Sequence, residues 1–237
     1  MQSYKTSSVI NDLKKLANST KAETVQRFFK TGKGEYGHGD IFWGIAVPEV
    51  RKIARIHKDL DIKQLELLIS HEVHEVRLCT LLIMVFQAKK NPEPLFNLYL
   101  HNTRFINNWD LVDLSAPVIV GQFLCDKDPA LLYKLAKSSV LWERRIAMIA
   151  TYAFIKQGCS EPTLKIAQML LSDKHDLIHK AVGWMLREVG KRCAVTVLES
   201  FLEEYAATMP RTALRYAIEH MQPEQKKYFM QMKSKKS

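Results

Sequence analysis

The chain of 237 residues can bury a sizeable core, as one large domain or as one continuous array of repeats. At 47% hydrophobic and 25% charged it has the balance of a soluble globular protein, and no stretch approaches the roughly 20 apolar residues that a membrane span needs. The formal charge of +10, from 35 Lys and Arg against 25 Asp and Glu, favours a polyanionic partner, nucleic acid ahead of an anionic membrane.

Part of that excess lies in the tail KKYFMQMKSKKS, which can equally be a solubilising end. The start, MQSYKTSSVINDLKK, lacks the apolar run of a secretory signal, so a cytoplasmic protein is expected. The cysteines 79, 125, 159 and 193 form no CxxC pair and read as small buried hydrophobes. No Gly-rich phosphate loop is present, because KTGKGEYGHGD has the wrong spacing and no following Lys-Ser or Lys-Thr. No cofactor is expected.

With only nine Gly and eight Pro, and apolar residues recurring at helical spacing, the chain reads as all-α. Two short amphipathic helices cover Ser8 to Asn18 and Ala22 to Thr31. A polar loop, Gly32 to Asp40, and the aromatic segment IFWG follow. Pro48 suits the first turn of the next helix. Helices then run over 48–57, 62–70, 72–89, 92–100, 108–125, 129–138, 141–157, 161–171, 175–192, 194–205, 211–221 and 223–232. The domain reading is one array: helices and loop over 8–47, repeats over 48–232, and a basic tail over 233–237.

The stretch NNWDLVDLSAP, Asn107 to Pro117, stands out. Asn108 can cap a helix with its side-chain carbonyl. Trp109 and Asp113 then project from one face, about 40° apart. Pro117 has no N–H to give the Asp113 carbonyl, so a kink or restart is expected there, with Ser115 as a candidate new cap. An aromatic plane and a carboxylate beside a break suit chemistry. By themselves these residues favour a core Trp beside an Asp that is a solvated charge or an end-of-helix cap.

A repeat runs through the chain. LWERRIAMIATYAFIKQG, slid forward by 35 residues, falls on DLIHKAVGWMLREVGKRC, so that Arg145 meets Lys180, Tyr152 meets Arg187 and Lys156 meets Lys191. One unit earlier lies the Trp109–Asp113 helix, and one before that EVRLCTLLIMVFQAKK with Arg77. Forward, PRTALRYAIEHM offers Arg211 and Arg215. Each long helix follows a shorter one, and a helix pair at this period indicates a HEAT- or armadillo-like solenoid. The period and the polar termini point to a monomer.

Lys180, Trp184, Arg187 and Lys191 fall within about 60° of one another on one helix. Arg145, Tyr152 and Lys156 repeat the pattern. A basic stripe is usually a solvated face, but one in register on successive units, with aromatics inside it, suits phosphates and bases. Arg77, Arg211 and Arg215 either reach phosphates at the ends of the groove or pair with acids inside the array. His38 and Asp40 either cap the next helix or approach nucleic acid. Gly183 costs about 1 kcal/mol against Ala inside a helix; a close neighbouring helix or a close ligand backbone would each explain it. His175 and His179 lack an evident third ligand, so no metal site is expected.

The runs NNWDLVDLSAP, LWERRIAMIATYAFIKQG, DLIHKAVGWMLREVGKR and MPRTALRYAIEHM resemble the AlkD-type DNA alkylation repair proteins. The resemblance extends to GEYGHGDIFWGIAVPEVRKIAR and so over most of the chain. It implies a superhelical solenoid of HEAT-like repeats with a concave basic groove. It further implies a DNA glycosylase of base excision repair that removes N3- and N7-alkylated purines from double-stranded DNA, without a deep base pocket. Such a protein would be nucleoid-associated when bound to DNA. Carried over by residue, the catalytic carboxylate falls on Asp113 and two aromatic contacts to the lesion nucleotide on Trp109 and Trp184. A DNA-contacting arginine falls on Arg145. A tyrosine of the family aligns with Phe28, where a hydroxyl is therefore missing. The alternatives are a non-catalytic HEAT-repeat protein that binds DNA structures and an armadillo-like adaptor for protein partners.

Overall fold

The computed structural model describes residues 2–232, with side chains from residue 5; the basic tail at 233–237 lies outside the described residues. Helices follow one another along the chain, and their contacts divide it into two compact units between Phe123 and Leu124. Among the described residues, no helix is long and apolar enough to cross a membrane.

The first unit holds α1 (Gln2–Lys14), α2 (Ser19–Phe28), α3 (Val47–Ile56), α4 (Ile62–Ile69), α5 (His74–Gln87), α6 (Pro92–His101) and α7 (Trp109–Ala116). Helix α1 begins earlier than the expected Ser8, because neither Gly nor Pro interrupts the chain upstream. Local chemistry sets several other ends. Asn18 accepts the Lys21 N–H at 2.9 Å, Asp61 and Gln64 form a capping box, and Pro48 sits in the first turn of α3. Helix α5 is apolar nearly all round, with Val76, Cys79, Leu81, Ile83 and Met84 fully buried. Such a helix must be covered on every side, and α1, α3, α4 and α7 pack against it.

At Pro117 the α-helix gives way to a wider turn, and Ser115 caps no new helix. Helix α7 passes through a π turn, Pro117–Gly121, into α8 (Gln122–Leu124), and the Gln122 N–H donates to the Pro117 carbonyl five residues back. The wider turn accommodates a residue without an N–H. Ser115 is buried; its hydroxyl donates to the Leu111 carbonyl at 2.5 Å and meets the Tyr99 hydroxyl at 3.0 Å.

The segment after α2 is tied down. Ile41 and Val73 form a parallel bridge, and the His74 N–H donates to the Ile41 carbonyl at 2.8 Å. The buried Glu75 carboxylate accepts the backbone N–H groups of Trp43, Gly44 and Ile45. Gly44 has φ +74, and a Cβ there would lie 2.4 Å from the Asn18 carbonyl oxygen, so glycine is required on both counts.

The second unit holds α9 (Ala130–Ala136), α10 (Leu141–Ala150), α11 (Tyr152–Lys156), α12 (Glu161–Leu170), α13 (Asp176–Arg192), α14 (Val195–Tyr205), α15 (Arg211–Ala217) and α16 (Pro223–Gln231). Here α13 is the hub, contacted by α10, α11, α12, α14 and α15. A Cβ on Gly183 would sit 2.3 Å from the Ala213 carbonyl oxygen and 2.5 Å from the Tyr216 Cβ. Close approach of α15 therefore explains that glycine. In this unit a shorter helix precedes a longer one at α9–α10 and α12–α13, whereas α15 is shorter than α14.

Candidate active site and nucleic-acid interface

Asn108 opens α7 by accepting the Trp109 N–H on its side-chain oxygen at 2.8 Å. The residues between Trp109 and Asp113, namely Asp110, Leu111 and Val112, are buried, whereas Trp109 and Asp113 are half-buried. The two share the accessible edge of the helix, one turn apart. Behind them the Tyr99 hydroxyl has its pKa pushed up by burial and by the Asp113 charge, with Ser115 opposing.

Trp109 is held by a ring cluster. Phe29 stacks on it with centroids 5.2 Å apart and planes 20° from parallel. Phe29 also stacks on Phe42 at 5.1 Å and meets the His74 imidazole at 5.3 Å, while Phe42 stacks on that imidazole at 4.3 Å. Phe28, 64% exposed, meets Trp109 edge-on at 5.9 Å.

His74 is buried between two carboxylates, with Nδ1 3.3 Å from Asp40 Oδ2 and Nε2 2.8 Å from Asp110 Oδ2. Arg77 Nη2 donates to Asp40 Oδ1 at 2.8 Å and to Asn107 Oδ1 at 3.0 Å, and Nη1 donates to the His71 and Glu72 carbonyls. Burial by itself would lower the His74 pKa, but the charge and hydrogen bond of Asp110, with help from Asp40, raise it to about 8. Burial likewise works against ionised Asp40, yet His74, Arg77 and Asn107 hold its carboxyl below the usual range. Two cations and two anions thus form a buried quartet behind the Trp109 stack.

Arg77 is therefore an internal ion-pair partner, the second of its two sequence readings. Asp40 likewise joins the quartet and caps no helix, while His38 is exposed. The quartet and the rings of Phe29 and Phe42 escaped sequence reasoning. Asp40 lies 34 residues before His74 and Asp110 lies 36 after it, and no motif spacing joins them.

In the second unit, Lys180, Trp184, Arg187 and Lys191 lie along the less buried face of α13. Lys180 pairs with Asp176 at 2.8 Å, and Arg187 pairs with Glu219 and approaches Glu188 at 3.8 Å. Lys191 and Arg215 are exposed. Tyr152 is flanked by two cations, Lys156 Nζ at 5.7 Å and Arg192 at 5.4 Å from its centroid; Arg192 was not singled out from sequence. Arg145 is buried, with Nη1 donating to the Leu177 carbonyl. Arg211 is exposed and donates to the Met230 carbonyl at 2.6 Å. His175 caps α13 through Nδ1 and His179 contacts the Asp173 carbonyl; the described residues contain no cluster of His, Cys, Asp and Glu able to hold a metal.

A family model described as DNA alkylation repair enzyme matches residues 9–221. The protein described as a predicted DNA alkylation repair enzyme from Enterococcus faecalis has a similar structure, with a TM-score of 0.72 at 16% identity over 87% of this chain and 97% of that one. AlkD2 from Streptococcus mutans gives 0.56 at 16% identity, over 85% and 97%. Smu.31 from Streptococcus mutans UA159 gives 0.54 at 15% identity, over 93% and 99%. No curated protein matches the sequence. With the family model spanning most of its length and an all-α helical-repeat fold shared with these structures, the chain belongs to the DNA alkylation repair enzyme family.

Proposed function

We propose that the protein is a DNA glycosylase that hydrolyses the N-glycosidic bond of cationic N3- and N7-alkylpurines in duplex DNA. The observation that carries this reading is the Asp113 carboxylate, placed on the accessible edge of α7 one turn from a Trp109 whose ring is held by Phe29.

An N3- or N7-alkylated purine already bears a positive charge. When the bond from C1′ to N9 breaks, the electron pair goes to the purine, which leaves neutral without a general acid. Positive charge develops on the deoxyribose, and a fixed carboxylate stabilises it. Asp113 supplies that charge and orients the water that adds to C1′. The water's proton passes to the carboxylate or solvent, leaving an abasic sugar. Trp109 packs on the lesion nucleotide and presents an electron-rich face to the same charge, contributing about 0.5–2 kcal/mol; the family resemblance assigns Trp184 the same kind of contact.

Phosphates are met by cations at the surface. Lys191 and Arg215, with Lys156 and Lys180, suit this role, and Tyr152 among them offers a ring for stacking. Arg187 and Arg211 contribute where the strand displaces their present acceptors. Arg145, buried against Leu177, supports the surface from beneath.

The test is to incubate the protein with duplex DNA carrying N7-methylguanine and follow free base, with Asp113→Asn alongside. Release by the wild type and not by the variant is expected. No release by either, with salt-sensitive DNA binding intact, would overturn catalysis in favour of DNA-structure binding. Release by both would remove Asp113 from its role.

A further inference from the structure

We propose that His74 is a positioning residue for Trp109: from inside the first unit it fixes both the backbone that carries the indole and the ring on which the indole rests. The backbone link runs through Asp110, which follows Trp109 in the chain and meets His74 Nε2 at 2.8 Å. The ring link runs through Phe29, which touches the imidazole at 5.3 Å and stacks on the indole at 5.2 Å.

Simple packing does not explain the choice of residues. A buried quartet of ions is no more stabilising than well-packed apolar side chains of the same volume. What it adds is direction, since the hydrogen bonds between the charged groups hold them in a restricted set of orientations. Asp40 comes from the loop before α3, Arg77 from the next turn of α5, and Asp110 from α7. Asn107, just before α7, bridges Arg77 and Asp40, its Nδ2 donating to Asp40 Oδ1 at 2.8 Å. Glu75, the neighbour of His74, is turned away to the 43–45 backbone. His74 therefore joins the loop, α5 and the first turn of α7, and the imidazole cannot turn without breaking one of its two carboxylate contacts. Phe42 covers its face at 4.3 Å, an arrangement that also favours the cationic ring.

For a site that works by a plane and a charge held one turn apart, such restraint matters. Small misplacements cost on the order of 10²-fold in rate. The kinetic consequence rests on the glycosylase reading; the geometric one does not.

Two measurements separate them. The first follows the indole N–H resonance of Trp109, identified by its loss in Trp109→Phe, in the wild type, His74→Gln and Asp110→Asn. Asp110→Asn removes the charge that meets His74 Nε2 while keeping the size of the side chain, and so serves if His74→Gln fails to fold. A shifted or broadened Trp109 signal, with the Trp184 signal unchanged, is expected in both. An unchanged Trp109 signal in folded variants would overturn the inference, whatever the protein's activity. The second is single-turnover excision per folded molecule with DNA affinity alongside. We expect the rate in His74→Gln to fall by about 10–100-fold while affinity changes less than about twofold. A wild-type rate in a folded variant would overturn the kinetic half, whereas no excision by the wild type would overturn the glycosylase reading and leave the resonance test standing.

Discussion

His74 Nε2 and Asp110 Oδ2 lie 2.8 Å apart although 36 residues separate them in the chain. The contact places a carboxylate that is already favoured in the first turn of α7 against a cation at the start of α5. It joins the helix that carries Trp109 and Asp113 to the helix that forms the core of its unit.

Stability should fall as pH rises through about 8. The folded-state pKa of His74 stands above its ordinary 6.5. Its contribution is therefore fully present below 6.5 and is lost as the buried imidazole gives up its proton. The shift corresponds to about 2 kcal/mol. Urea unfolding across that range should show the decline in the wild type and not in His74→Gln. An equal decline in both would assign it to other groups.

Arg77→Met and Lys191→Met should differ in kind. Removing Arg77 leaves Asp40 buried without its guanidinium, at a cost of about 3–5 kcal/mol. Removing the exposed Lys191 should leave unfolding unchanged and lower the slope of log affinity against log salt by about 1. Denaturation curves and DNA titrations at several salt concentrations measure both. A stable Arg77→Met with a reduced slope would reverse the assignment.

Gly183→Ala should destabilise by about 1–3 kcal/mol through overpacking, despite a helix-propensity gain of about 1 kcal/mol. The added methyl meets the Ala213 carbonyl of α15, which is backbone and cannot swing aside. A gain in stability would mean that the helices separate freely.

Glu75→Gln should loosen the 41–46 segment. Oε1 of the carboxylate accepts the N–H groups of Trp43, Gly44 and Ile45 and Oε2 accepts that of Trp43 as well, whereas an amide is the weaker acceptor and sets its NH2 against the Trp43 N–H. A loss on the order of 3 kcal/mol is expected, with faster proteolysis between Gly37 and Ala46. Unchanged cleavage and unfolding would show that the ladder contact at Ile41 suffices.

Much of the architecture was legible because it is local. Apolar spacing and caps place helices such as α4, α6 and α12 within a residue or two of their observed ends. The stripe of Lys180, Trp184, Arg187 and Lys191 follows from helix geometry alone. Where a local rule allowed several outcomes, sequence reasoning stopped. Pro117 denies one hydrogen bond, and a stop, a kink or a widened turn all satisfy that constraint; packing of Ser115 against Tyr99 accompanies the third.

The site divides the same way. Trp109 and Asp113 share an edge of α7 because a side-chain period of 3.6 residues puts them there, so the sequence by itself determined that pair and the family to which the chain belongs. Only the tertiary structure decided which cations stay available. Arg77 and Lys191 read alike as basic residues, yet one closes a buried quartet and the other stands in solvent. It also decided that Asp40, His74 and Asp110 meet. Partners so distant in the chain are chosen by how helices and loops stack, and the cost of burying a charge without a counterpart then dictates the pairing.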